Sequence, residues 1–182
     1  MKNKLFIALA LLAFIWIVFI LDIVIPIDFT NFGIHPRKIK GLFGIAFSPF
    51  LHAGIRHILS NSLPLFFLTL ALFFFYEKEA IVVWTLSAIL GGILVWLFAR
   101  PNTVHVGASG VIFSLVGFLI ASGFFRRNIK AILISLLIGI VYGGILFGIG
   151  FFKRGISWEG HLFGFIAGVA LAFIFGRKKK AT

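Results

Sequence analysis

The run VGASGVIFSLVGFLIASGFF, residues 106–125, joins a glycine-flanked serine to an uncharged apolar segment of helical length. From Ser109 onward the segment would rise about 26 Å as a helix, close to the roughly 30 Å of a bilayer's hydrocarbon core. Small residues recur along it at helical spacing, at Gly110, Ser114, Gly117 and Ala121. Helices in lipid associate through such faces, so the run predicts a transmembrane helix that packs closely against a partner helix.

The composition of the whole chain also places it in a bilayer. Apolar residues make up 61% of the 182 residues and charged residues only 12%, about half the charged fraction of a soluble domain. The formal net charge is +12, but the basic residues stand at the ends of apolar runs, which favours membrane orientation and anionic lipid over nucleic acid. Cysteine is absent, which excludes disulfides, thiolate metal ligands and a cysteine nucleophile.

Six apolar segments are long enough to cross the hydrocarbon core, and the short joints between most of them predict a single all-α membrane domain over residues 1–182. The segments are residues 5–25, 58–76, 80–99, 109–125, 131–151 and 160–176. An even number puts both termini on one side, which carries ten Lys and Arg residues against seven on the other. We therefore expect a multi-pass protein, in a bacterial inner membrane, with both termini in the cytosol.

The long first connection, Pro26 to Gly54, mixes glycine, proline and basic residues with apolar clusters too short to span. This composition predicts a segment in the outer membrane interface, where it serves either as a plain connector or in access to a site. Asp22, near the outer end of the first segment, predicts a contact with the helix end or the loop.

Three polar residues recur at one depth in the second, fourth and sixth segments. Asn61, Ser109 and His161 each precede the charged cytosolic end of their own segment by 16 or 17 positions. At about 1.5 Å per residue they lie roughly 24 to 26 Å above the cytosolic boundary, a few Å below the outer surface. His57 is one turn above Asn61 on the same helix face. These four side chains are therefore predicted to share one layer.

A second set of small residues predicts how the helices that carry this layer meet. Gly160, Gly164 and Gly168 repeat at spacing four in the last segment, and His161 lies on the same side of that helix. Close packing of this face on the fourth segment would bring the His161 imidazole near the Ser109 hydroxyl. A weak nucleophile, a base and a group of donors are the components that acyl transfer requires.

Three motifs that contain these residues resemble the rhomboid intramembrane serine proteases: GASG at 107–110, HAGIRHILSN at 52–61 and SWEGHLFGFIAG at 157–168. The resemblance covers five of the six segments and implies a six-transmembrane-helix rhomboid-like bundle. It implies that Ser109 is the nucleophile and His161 its general base. The His57 and Asn61 side chains and the Ser109 backbone N–H would form the oxyanion hole. Supporting positions within the motifs are His52, Gly107, Gly110, Phe113, Gly164 and Gly168.

The resemblance also implies the substrates, which would be transmembrane-anchored polypeptides whose helix frays near the depth of the site; no cofactor, metal or nucleic acid is implied. Two features depart from the family pattern. The first loop lacks the tryptophan-arginine motif often seen there, and Phe113 stands where a tyrosine often stacks on the catalytic imidazole. No intramembrane carboxylate is expected near His161, so the base would work in a Ser-His dyad oriented by ring packing.

Other classes of protein remain open at this stage. An inactive rhomboid-like membrane binding protein would share the fold, although such proteins normally lack the serine or the histidine. A zinc-dependent membrane hydrolase would need His52, His57 and His161 as ligands and would leave Ser109 without a role. A transporter is disfavoured because no repeated halves are visible. His105, four residues before Ser109, is either a proton shuttle or a loop histidine without a role.

Overall fold

The computed structural model of the chain describes residues 2–148 and 157–178, with side chains for 2–144 and 157–176. Within these residues it has seven α-helices, joined by loops that include two 3-10 turns. The helices are α1 (Lys2–Val24), α2 (Gly41–Phe47), α3 (Ile55–Phe75), α4 (Ala80–Phe98), α5 (Ser109–Arg126), α6 (Ile129–Gly148) and α7 (Trp158–Lys178).

Five of the described helices are long and apolar enough to cross a membrane: α1, α3, α4, α5 and α7. In α6 the stretch Ile129–Gly144 forms a shorter apolar helix. The end of the predicted segment 131–151, residues 149–151, lies outside the described residues. The helical membrane architecture predicted from the sequence is confirmed.

Helices α3 and α7 begin two or three residues earlier than the apolar segments predicted. The first turn of α7 contains Glu159, and Ser157 caps it by accepting the Gly160 N–H at 3.1 Å. Polar residues favour helix N-termini because they satisfy free backbone N–H groups there. Hydropathy alone therefore misses the turn that leads into His161.

Helix α5 is the centre of the bundle. It packs against α7 most extensively and also contacts α6, α3 and α4. Its side chains Leu115, Phe118 and Leu119 are fully buried. In contrast, α1 lies at the edge, where it packs on α3 and the Trp16 indole N–H donates to the Ser62 hydroxyl at 3.0 Å. The helix that carries Ser109 is thus the most enclosed of the described helices that are long enough to cross a membrane.

Hydroxyl groups tie neighbouring helices together inside the bundle. The Trp84 indole on α4 donates to Thr69 on α3 at 3.3 Å, and Ser114 on α5 donates to Ser87 on α4 at 2.8 Å. Ser135 on α6 donates to the Ile120 carbonyl at 2.7 Å. Such interhelical hydrogen bonds contribute roughly 0.6 to 2 kcal/mol each in a membrane environment. They fix the register of α3, α4 and α6 around α5.

The long first loop is folded against the loop between α4 and α5. Ile34 and His105 exchange two backbone hydrogen bonds of 3.0 Å, as in an antiparallel strand pair. Helix α2, within the same loop, lies so close to α4 that a Cβ on Gly92 would meet Ile45 at 2.9 Å. Asp22 accepts the Phe29 backbone N–H at 2.7 Å, which confirms the predicted contact between helix end and loop.

Two ion pairs lie at the opposite end of the bundle from these loops. Lys4 pairs with Glu77 at 2.7 Å, and Arg126 pairs with Glu79. The Arg126 guanidinium also lies over the Tyr76 ring, 4.7 Å from its centroid. These contacts connect the start of α1, the α3–α4 turn and the end of α5.

Candidate active site

The loop that leads into Ser109 requires glycine at position 107. Gly107 has φ of +113°, a conformation that disfavours any side chain. A Cβ there would also lie 2.5 Å from Nε2 of His57 and 3.5 Å from Nδ2 of Asn61. The loop is held by the Gly107 N–H, which donates to the Ser48 carbonyl at 2.8 Å. His57 and Asn61 therefore converge on the backbone that immediately precedes Ser109.

Ser109 is the first residue of α5, where backbone N–H groups have no partner within the helix. It is partly buried and lines a cleft with about 410 Å³ of empty space. The cleft walls combine small residues of α4, such as Gly91, with polar groups of the loops, including His105 and Ser157. A substrate oxygen bound beside Ser109 would meet the positive end of the α5 dipole.

His161 lies in the first turns of α7 and stacks face to face on Phe113 of α5. The ring centroids are 4.3 Å apart and the planes differ by 8°. Phe113 follows Ser109 by four residues, so both lie on one face of α5. The ring packing expected against His161 is therefore made by Phe113. Among the described residues no hydrogen bond joins Ser109 to His161. The stack nevertheless places the His161 ring against the face of α5 that carries Ser109.

The Asn61 amide and the His161 ring carry buried nitrogens without partners. Asn61 is 5% exposed, and its Nδ2 makes no hydrogen bond with the described part of the chain. The same holds for Nδ1 of His161. A buried donor without a partner is costly unless a ligand or water satisfies it. Beside Gly107, the Asn61 amide is thus available to a bound oxygen atom.

His52 is buried behind the same loop. Its Nε2 faces the Ala108 N–H at 3.5 Å, and its ring meets the His57 ring edge-on with centroids 5.1 Å apart. The pKa of His52 is lowered to about 4, chiefly by burial and also by the His57 imidazole, while a backbone hydrogen bond to Phe50 opposes the shift. These contacts fit the structural part expected for this histidine.

The glycine stripe of α7 lies against α5 as predicted. A Cβ on Gly164 would overlap the Gly110 carbonyl oxygen, and one on Gly168 would overlap the Ser114 carbonyl oxygen. On the other side, a Cβ on Gly91 of α4 would lie 3.5 Å from the Gly164 Cα. Three helices therefore meet at Gly164, one turn below His161.

The start of α7 also carries a buried carboxylate. Glu159, two positions before His161, is 2% exposed. Its carboxylate pairs with Arg100 at the end of α4. An acidic residue at the start of an apolar helix indicates a buried ion pair. The sequence does not identify the partner, because Arg100 is 59 positions away. Because Glu159 is bound to Arg100, ring stacking remains the contact that orients His161.

Sequence reasoning also gave no partner to His105. Its side chain is 5% exposed and bonds to Thr103 and Ser157. Among the residues that the structure describes, no group of three or more His, Cys, Asp or Glu side chains could hold a metal ion.

The fold and this layer define a multi-pass integral membrane protein in which polar side chains of α3, α5 and α7 meet near one end of a helical bundle. Residues 40–178 match the rhomboid domain, and the chain belongs to the rhomboid family. An uncharacterized protein of Mycobacterium tuberculosis (strain ATCC 25618 / H37Rv) is 38% identical over 161 residues, which cover 81% of this chain and 65% of that protein.

Two further relatives have similar identity. An uncharacterized protein of Mycobacterium leprae is 33% identical over 182 residues, covering 96% of this chain and 72% of its own length. YdcA of Bacillus subtilis, which is named a putative rhomboid protease, is 33% identical over 136 residues. These residues cover 71% of this chain and 65% of that protein. The chain thus spans about two thirds of the length of most of these relatives.

Proposed function

We propose that this chain is an intramembrane serine endopeptidase that cleaves transmembrane-anchored polypeptides near the outer face of the membrane. The observation that carries the proposal is the convergence of the His57 imidazole and the Asn61 amide on Gly107, two residues before Ser109, with a buried Asn61 nitrogen that has no partner among the described residues. A residue that served only in packing would not need a buried donor without a partner, as Asn61 has, beside the N-terminus of a helix whose first residue is a serine.

The proposed reaction begins when Oγ of Ser109 attacks the carbonyl carbon of the scissile peptide bond. His161 accepts the hydroxyl proton and later gives it to the leaving amine, so an acyl enzyme and a free amine form. Water then attacks the ester, again with His161 as base, and releases the carboxylate product and Ser109. Phe113 orients the imidazole by stacking on it. No hydrogen bond to Nδ1 of His161 does so among the described residues.

Negative charge develops on the substrate oxygen in both steps. The proposed donors to that oxygen are the side chains of His57 and Asn61 and the backbone N–H of Ser109. Fixed donors of this kind act most strongly on the transition state, where the charge is largest. The substrate peptide must be extended to reach them, so helix-breaking or small residues are expected near the scissile bond.

The membrane arrangement is part of the proposal. With both termini in the cytosol of a bacterial cell, the site lies toward the outer side of the inner membrane. The basic and acidic pairs at the other end of the bundle, such as Arg126 with Glu79, would then face the cytosol. A site a few Å below the surface can be supplied with the water that deacylation consumes.

The test is covalent labelling of the detergent-solubilised protein with a fluorophosphonate, with and without a chelator, followed by peptide mapping. Labelling at Ser109 that is unaffected by the chelator and lost in Ser109→Ala supports the serine mechanism. Cleavage of a transmembrane substrate by Ser109→Ala at even a tenth of the parent rate would overturn it. His161→Ala is expected to be comparably inactive, because residues that act as a unit each cost nearly the whole catalytic effect.

Two outcomes would point to other functions. A parent protein that folds but neither labels nor cleaves would favour an inactive rhomboid-like binding protein. Activity that survives Ser109→Ala but is lost to the chelator would favour a zinc hydrolase.

A further inference from the structure

A chain of side-chain hydrogen bonds connects the α4–α5 loop to the first turn of α7. Nδ1 of His105 lies 2.5 Å from Oγ of Ser157, and its Nε2 lies 2.8 Å from Oγ1 of Thr103. Thr103 in turn donates to the Arg100 carbonyl at 2.7 Å, and Ser157 accepts the Gly160 N–H at 3.1 Å. The chain runs without interruption from the backbone of α7 to the backbone of the loop.

The bonds at the Thr103 end fix which nitrogen of His105 carries a proton. Thr103 has one hydroxyl proton and uses it on the Arg100 carbonyl, so it accepts from His105, and Nε2 of His105 carries a proton. The Gly160 N–H occupies a lone pair of Ser157, whose own proton is free to point at Nδ1. In a neutral ring Nδ1 accepts a hydrogen bond from Ser157. The arrangement therefore requires a proton on Nε2, and a neutral His105 is its Nε2–H tautomer.

The charged groups around His105 are compatible with a neutral ring. Burial lowers the pKa of His105, and Arg100 and His35 also lower it, whereas Glu159 opposes them. Glu159 is itself paired with Arg100, which makes a second connection between the same loop and α7. Ile34 binds the His105 backbone from the first loop. His105 thus sits where three segments meet.

His105 and Ser157 hold equivalent places in the chain relative to the proposed catalytic pair. His105 precedes Ser109 by four residues, and Ser157 precedes His161 by four residues. The His161 backbone N–H also returns to the Ser157 carbonyl at 3.3 Å. A shift at the junction of His105 with Ser157 would consequently move the start of α7 relative to the start of α5.

We propose that His105 is a positioning residue that holds the first turn of α7 against the α4–α5 loop and thereby sets the separation of Ser109 from His161. The proposal rests on the proposed function for its catalytic consequence. His105 does not reach the reacting atoms in this assignment. It is neither a proton shuttle nor a loop histidine without a role.

The first experiment measures the tautomer directly. The solubilised protein is labelled with ¹⁵N-histidine, which gives NMR signals from all five histidines. The signals of His105 are those that disappear in the His105→Asn variant. The expected spectrum shows a protonated Nε2 and an unprotonated Nδ1 at neutral pH. In Ser157→Asp the carboxylate still caps Gly160 but cannot donate, so Nδ1 should gain a proton. A parent His105 protonated on Nδ1, or an unchanged spectrum in Ser157→Asp, would overturn the network.

The second experiment measures turnover per folded molecule. His105→Leu should lower kcat about 10 to 100-fold with little change in KM, because a displacement of about 1 Å in reacting groups has effects of this size. His105→Asn keeps an acceptor near the Nδ1 position and should recover part of the loss. The matched control is Ser135→Ala, which removes one interhelical hydroxyl bond between α5 and α6 and should leave kcat unchanged.

Failure of this proposal can be told apart from failure of the proposed function. If the parent labels at Ser109 and His105→Leu labels at the parent rate per folded molecule, the positioning role is wrong and the protease assignment stands. If the folded parent does not label at all, the protease assignment is wrong and the catalytic role of His105 fails with it. The tautomer measurement then still decides whether the network itself exists.

Discussion

At the scale of single residues, the site depends on side chains whose polar atoms are left available inside the bundle. Asn61 is almost fully buried, yet its amide nitrogen bonds to nothing in the described residues. Ser62, the next residue, is also buried but fully engaged, since it donates to the Ile58 carbonyl at 2.8 Å and accepts from Trp16. Of these two adjacent residues, Asn61 therefore has a proposed catalytic role and Ser62 a structural one.

Asn61→Ala is expected to lower kcat by about 10 to 10³-fold with nearly unchanged KM and melting temperature. The reason is that the amide would bond only to the oxygen that becomes charged during reaction, and its removal breaks no bond in the resting protein. The measurement is steady-state cleavage of a transmembrane substrate alongside thermal unfolding.

Ser62→Ala is the control for this comparison. It should lower stability by roughly 1 kcal/mol and leave turnover per folded molecule unchanged, because it loses the bond from α1. If Asn61→Ala instead melted early with normal turnover, Asn61 would be an interhelical tie and the oxyanion assignment would be wrong.

At the scale of elements, the contact between α5 and α7 brings the proposed nucleophile and base onto facing helices. The contact is close because backbone meets backbone at Gly164 and Gly168. Lipid provides no hydrophobic driving force for helices to associate, so the attraction comes from this extensive van der Waals contact. The distance between the two helices is thus determined by residues that carry no chemistry.

Gly164→Ala should destabilise the protein by about 1 to 3 kcal/mol and reduce activity, because the methyl group would overlap the rigid Gly110 carbonyl. Gly139→Ala on α6 is the matched change, since a Cβ there meets nothing within 4 Å. That variant should be neutral or slightly stabilised, because alanine favours helix more than glycine. Thermal unfolding of both variants in one detergent checks the pair, and equal melting temperatures would contradict the assigned packing.

At the scale of the whole molecule, polar groups are divided between the two ends of the bundle. One end holds the ion pairs of Lys4 and Arg126, and the other holds the loops, the cleft and the buried histidines. This division links the proposed membrane orientation to the side on which a substrate would be cleaved.

Accessibility of single cysteines should report that orientation, and the absence of native cysteine makes each probe unique. Asn102→Cys, in the exposed α4–α5 loop, should react with a membrane-impermeant maleimide added to intact bacterial cells. Asn128→Cys, at the exposed α5–α6 turn, should react only after permeabilisation. The reverse pattern would place the site on the cytosolic side.

Stability should decrease as the pH falls from about 6.5 toward 4. The pKa of His52 is about 4 in the folded protein against an ordinary value of 6.5, and burial also lowers the pKa of His105. The folded state therefore binds fewer protons than the unfolded state in this window, so acid favours unfolding. For His52 alone the loss is at most about 3 kcal/mol; it begins as the pH falls through 6.5 and is complete only below pH 4. His52→Gln should flatten the pH dependence of the melting temperature, and an unchanged slope would contradict the shift.

The sequence by itself determined the membrane class, the approximate helices and the small-residue faces, because hydrophobic length and helical spacing are local properties that can be read along the chain. It also predicts a common depth for Asn61, Ser109 and His161, since counting residues from a charged helix end estimates height within a helix. The connections between loops were decided only by the tertiary structure. His105 meets Ser157 and Arg100 meets Glu159 across 52 and 59 positions, and no local period encodes such pairs. They form because folding brings the α4–α5 loop onto the first turn of α7, where buried polar groups must find partners.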